Sequence, residues 1–88
     1  MSEPREHRIK RLKMRSMRRG IKEMDVILHP FAEANLAGMD EAELGLYDEM
    51  LSENDHDLYQ WVSGQVAPPP RYAALMAQII GGLPRVGA

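Results

Sequence analysis

The three histidines, His7, His29 and His56, are the first candidates for metal or proton-transfer chemistry in this sequence. They are widely separated, and no two share the i, i+4 spacing that would bring a pair of imidazoles to one ion on a helix. Asp55-His56-Asp57 sets two carboxylates beside an imidazole. Three consecutive residues point around a helix start rather than at one ion, so capping and surface roles are expected there. With no cysteine, the chain has no thiol nucleophile, disulfide, or cysteine-based zinc or iron–sulfur site. It also has no glycine-rich phosphate loop, nucleophile elbow or dinucleotide fingerprint. Glu23 is one carboxylate with no evident acid–base companion. Trp61, beside Leu58 and Val62, reads as a core anchor rather than a ligand platform. The expectation is therefore a protein that is not an enzyme, with no catalytic residue and no metal site.

Charge and backbone chemistry concentrate instead in Arg18-Arg19-Gly20-Ile21-Lys22-Glu23-Met24-Asp25. Residues 1–22 carry nine Lys/Arg against Glu3 and Glu6, whereas residues 23–57 carry eleven Asp/Glu and no Lys/Arg. Gly20 is the first glycine and suits the left-handed backbone just past a helix end. Arg18 and Arg19 suit the negative end of one helix dipole, and Glu23 and Asp25 the positive end of the next. The stretch reads as a helix–helix corner with a cation and a carboxylate displayed on either side. It can also be explained without function, as a helix end followed by a favourable first turn. The basic segment can likewise lie against acidic helices of its own domain, or be a partner surface.

The elements that must position this corner are helical. A length of 88 residues allows one small domain, and 44% hydrophobic with 27% charged residues favours folding over disorder. No apolar run approaches the roughly 20 residues of a membrane span, and no apolar h-region follows the basic opening. That opening is expected to belong to the mature fold rather than to a leader. A first helix is predicted from about Glu6 to Arg19, with Ile9, Leu12, Met14, Ser16 and Met17 forming a thin stripe. A second places Met24, Ile27, Leu28, Phe31 and Asn35 on one face, with a kink or short break at Pro30 and an exit at Gly38.

A third helix opens with Asp40 as cap and Glu43 completing a capping box, burying Leu44, Tyr47 and Leu51. A fourth, capped by Asn54 or Asp55, turns Leu58, Trp61 and Val62 inward and ends at Gly64. Pro68-Pro69-Pro70 is a stiff connector to a fifth, which buries Tyr72, Leu75, Met76, Ile79 and Ile80 and ends at Gly81-Gly82. No segment shows strand periodicity. The expected architecture is an all-α, compact single-domain bundle of about five short helices over residues 1–80, with a flexible tail over 81–88.

The run Arg18–Asp25, followed by Pro30-Phe31, Met39-Asp40-Glu41-Ala42-Glu43-Leu44 and Asp57-Leu58-Tyr59-Gln60-Trp61-Val62, resembles the succinate dehydrogenase assembly factor 2 family and its RGxxE motif. The resemblance covers roughly residues 8–64 in order. It implies a five-helix bundle that binds the flavoprotein subunit of succinate dehydrogenase or fumarate reductase and assists covalent attachment of FAD. The flavin would belong to the client, with none bound stably by this chain. Functional positions carry over to Arg19, Gly20 and Glu23, with Arg18 and Asp25 adjacent as partner-binding residues. Lys22 lies at a variable position of the motif. A monomeric bacterial cytoplasmic protein is expected, with no membrane insertion and no nucleic-acid partner. An antitoxin-like or nucleic-acid-binding regulator is the alternative, supported by the basic first helix alone.

Overall fold

Ile9, Leu12 and Ser16 fall on one side of the first helix, and that side sets how the chain packs. In the computed structural model, which describes residues 3–82, Leu12 and Ser16 are fully buried and Ile9 packs against the core. The order is α1 (Arg5–Arg15), α2 (Lys22–Asn35), a 3₁₀ turn (Leu36–Gly38), α3 (Glu41–Leu51), α4 (Asp55–Val62), a second 3₁₀ turn (Pro70–Tyr72) and α5 (Ala73–Gly81). No strand occurs among the described residues, and the fold class is all-α. Of the expected tail, Gly81 ends α5 and Gly82 caps it; residues 83–88 lie outside the described residues.

The central element is α2, which touches α1, α4 and α5, while α3 lies against α1. Its buried residues Met24, Leu28, Phe31 and Ala32 join a single apolar cluster with Leu44, Tyr47, Leu51, Leu58, Trp61 and Val62. Two aromatic contacts tie the helices: Phe31 with Tyr47 at 5.8 Å between ring centroids, and Trp61 with Tyr72 at 5.9 Å. Tyr47 carries its hydroxyl into the core, where it meets Ser16 Oγ at 2.6 Å; Ser16 Oγ also lies 2.8 Å from the Leu12 carbonyl. Burial pushes the Tyr47 phenol up to about 12, so it stays neutral and hydrogen-bonded.

The local stop and start signals act as their chemistry dictates. Asp40 Oδ1 accepts the Glu43 amide at 2.8 Å while Glu43 Oε1 accepts the Asp40 amide at 3.0 Å, a complete capping box on α3. Asn54, not Asp55, caps α4, accepting the His56 amide at 2.8 Å. Gly64 takes φ +83° after α4, and the Gln65 amide returns to the Gln60 carbonyl at 2.9 Å. The α1 arginines are spent largely on α3: Arg5 and Arg8 pair with Glu41, and Arg11 and Arg15 with Asp48. The reading of α1 as a basic helix against acidic neighbours of its own domain therefore holds for these four.

Several expectations need correction. The first helix ends at Arg15 rather than Arg19, because the Ser16 amide closes on Leu12 and Lys13 and the chain reverses at Arg18, φ +53°. The left-handed residue of the corner is thus Arg18 and not Gly20. No break interrupts α2 at Pro30, which lies on an exposed face with Val26, the residue whose carbonyl loses its partner. Asn35 is exposed and turns its amide back onto the Phe31 carbonyl at 2.9 Å. Ile80, Met14 and Met17 are exposed, at 43%, 65% and 38%. A stripe one residue wide too many leaves such side chains with nothing opposite them.

Candidate functional site

The corner between α1 and α2 is built around Arg19. Its side chain is 11% exposed and its guanidinium has three partners. Nη1 donates to the Arg15 carbonyl and Nη2 to the Leu51 carbonyl, each at 2.8 Å, so one cation satisfies the last turns of both α1 and α3. Nε and Nη2 also engage Asp55 Oδ1 at 2.9 and 2.8 Å. Asp55 is the first residue of α4 and is itself only 15% exposed. A single side chain thereby joins the C-termini of two helices to the N-terminus of a third.

The second oxygen of the same carboxylate takes the next amide. Asp55 Oδ2 accepts the Gly20 N–H at 2.5 Å. A Cβ added at Gly20 would stand 2.7 Å from that oxygen, while the Asp55 Cγ and Cβ would lie at ordinary contact distances of 3.7 and 3.8 Å. Position 20 is thus crowded by the end of a carboxylate side chain, and its backbone is not left-handed. On the other side, the Arg19 amide donates to Asp25 Oδ1 at 2.9 Å, which ties the corner to the first turns of α2. Ile21, the cap residue of α2, offers no side-chain capping bond, so Asp25 and Asp55 anchor this helix start from either side.

The five residues singled out by sequence fall into two groups. Arg19, Gly20 and Asp25 are engaged in the hydrogen bonds of the corner. Arg18 and Glu23 are exposed, and neither has an ion pair among the described residues. Next to them runs the outer face of α2. Two shallow grooves share Lys22 and Val26 as a common ridge. One is lined further by Met17, Arg18, Asp25, His29 and Pro30, the other by Glu23, Ile27 and Tyr59. Val26 is 64% exposed. The exposed Val26 side chain on this ridge has Arg18 and Glu23 in the grooves on either side of it.

Sequence reasoning missed Asp55, Val26 and Tyr59. Val26 had a signal, an aliphatic residue off the Met24-Leu28-Phe31 face of its helix. Asp55 had none beyond its place in Asp55-His56-Asp57 and as a possible cap of the fourth helix, since its partners lie 35 and 36 residues away. Among the described residues no group of three His, Cys, Asp or Glu could hold a metal ion, and no described helix is long and apolar enough to cross a membrane.

Fold and corner together define a class: a small all-α domain whose charged corner is tied by a mostly buried arginine–aspartate pair. A family model described as "Flavinator of succinate dehydrogenase" matches residues 10–81, and the chain belongs to that family. Relatives include a mitochondrial succinate dehydrogenase assembly factor 2 of Drosophila grimshawi, 36% identical over 81 residues, covering 90% of this chain and 55% of that protein. The corresponding factor of Mycosarcoma maydis is 38% identical over 72 residues, 82% of this chain and 30% of its own length. The FAD assembly factor SdhE of Francisella tularensis is 38% identical over 65 residues, 74% of this chain and 68% of that protein. The chain thus spans about half or less of the two mitochondrial relatives.

Proposed function

We propose that this chain is an assembly factor that binds the flavoprotein subunit of succinate dehydrogenase, or of fumarate reductase, and promotes covalent attachment of FAD to it. The observation that carries the reading is family membership across residues 10–81, most of the described domain. The names of the relatives, one an FAD assembly factor, support it. The flavin and its acceptor side chain belong to the client, and this chain supplies no catalytic group and holds no FAD stably. Its contribution is geometric. Forming a flavin–protein bond requires near-attack positioning and stabilisation of charge on the isoalloxazine. A rigid corner presenting Arg18 and Glu23 beside the Val26 ridge can hold a mobile client segment in a competent arrangement, with Arg19, Gly20 and Asp25 fixing the corner behind them.

In this reading the protein acts as a monomer in the bacterial cytoplasm, without membrane insertion and without a nucleic-acid partner. The test is co-expression of a tagged succinate dehydrogenase flavoprotein subunit with and without the chain, reading covalent flavin as in-gel fluorescence and co-purification on the tag. Stable capture and increased covalent flavin are expected. A client that flavinylates equally well without the chain, and does not retain it, would overturn the proposal.

A further inference from the structure

We infer that Asp55, outside the Arg18–Asp25 stretch and on a different helix, is the positioning residue of the corner: its carboxylate dictates glycine at position 20 and sets how Glu23 is presented. The structural half stands on geometry alone, and the functional half rests on the flavinylation role proposed above.

Three observations converge on this residue. Each carboxylate oxygen has its own task, Oδ1 on the Arg19 guanidinium and Oδ2 on the Gly20 amide. The pair is mostly buried, so removing the acid leaves Arg19 with two carbonyls and no countercharge among its described partners. Finally, α2 has no capping side chain at Ile21, so its start is directed by what holds the residues just before it. Glu23 follows Gly20 by three residues, less than one helical turn. A shift of the Gly20 amide therefore passes to Glu23 with little slack, whereas a residue deep in α2 would be buffered by packing.

The clamp also explains the glycine in a way that differs from the usual one. If Gly20 were needed for left-handed backbone, alanine would be strained there whatever stands opposite. Its φ lies outside that region, and the one atom closer than 3.0 Å to the added Cβ is Asp55 Oδ2 at 2.7 Å, the end of a carboxylate that the Arg19 guanidinium holds in place. Remove that oxygen and alanine fits. It should then be neutral or mildly stabilising, because it restricts the unfolded chain.

The experiment is a double-mutant cycle in the full chain, using Gly20→Ala with Asp55→Ser, and with Asp55→Ala as a second background. Both Asp55 variants shorten the side chain enough to clear the Cβ. The first readout is melting temperature. Gly20→Ala should lower it by about 4 °C or more in the wild type, and leave it unchanged or raised in either Asp55 background. A loss of similar size in all three backgrounds would overturn the clamp as the cause of the glycine. If Asp55→Ala is too unstable to measure, Asp55→Ser alone closes the cycle.

The second readout is covalent flavin on the succinate dehydrogenase flavoprotein subunit as the concentration of the chain is raised. At a temperature where Asp55→Ser is fully folded, the half-saturating concentration should rise about tenfold, with the plateau approached at high concentration. A folded Asp55→Ser with a wild-type titration would overturn the positioning role. A wild-type chain with no effect on the client would instead refute the proposed function, and the melting cycle would still decide the clamp.

Discussion

Arg11 of α1 and Asp48 of α3 stand 3.0 Å apart, and Arg15, one turn further along α1, reaches the same carboxylate. The hydrogen bond from Arg11 is the main reason the Asp48 carboxyl is held below its ordinary value of 3.8, with the charges of Arg11, Arg15 and Arg8 adding to it. A depressed folded-state pKa means that the unfolded chain takes up the proton first. The stabilisation is complete above 3.8 and disappears as pH falls through the lowered value. Asp48→Asn should cost about 0.5–1 kcal/mol at neutral pH, since the pair is partly solvated. Urea unfolding across pH should show the two proteins converging in acid. A constant gap would mean that Asp48 acts through packing rather than charge.

Trp61 is 9% exposed and stacks obliquely on Tyr72, which links α4 to the start of α5. Truncation to alanine should cost about 3–5 kcal/mol, a large part of the stability a domain of this size has. Chemical denaturation measures it. A variant of near wild-type stability would place Trp61 outside the core and reopen a ligand role for it.

Arg18 is left-handed at φ +53° and exposed, so its backbone strain and its cation can be separated. Arg18→Gly relieves about 1–2 kcal/mol of steric cost, partly offset by the freedom glycine gains in the unfolded chain. Its melting temperature should therefore match or exceed wild type. Weaker capture of the flavoprotein subunit by this variant would assign the loss to the missing cation. A clear drop in melting temperature would show that the Arg18 side chain holds the fold.

The basic first helix should not make the chain a nucleic-acid binder. Arg5, Arg8, Arg11 and Arg15 already face Glu41 and Asp48, whose carboxylates repel phosphate, and no Phe, Tyr or Trp lies on α1 to stack on bases. Gel shift with generic duplex DNA at physiological salt and micromolar protein should show no complex. Salt-sensitive retardation would contradict this.

What the sequence made legible was local. The capping box of Asp40 and Glu43 spans four residues, and Asn54 reaches an amide two residues on. Gly64 ends its helix in the conformation glycine allows most readily. The core positions from Phe31 to Val62 followed from periodicity, because a helix with one broad apolar face has one way to bury it. The corner was legible in location and misread in cause. Neither the left-handed Arg18 nor the bond from Gly20 to Asp55 leaves a local trace, since the first depends on the net that fixes Arg19 and the second joins residues 35 apart. Met14 and Ile80 were misplaced for a related reason: periodicity names a stripe but not the width of its partner.

On the proposed function, the corner presents Glu23 to a client rather than merely starting a helix. Glu23 is exposed and has no ion pair among the described residues, so Glu23→Ala removes only a first-turn carboxylate, worth about 0.3–1 kcal/mol to α2. The decisive measurement sets the melting temperature of Glu23→Ala beside covalent flavin on the succinate dehydrogenase flavoprotein subunit, read as in-gel fluorescence. Near-normal melting with strongly reduced flavinylation is the expected result. Normal melting with normal flavinylation would contradict it and leave the corner as a helix start and nothing more.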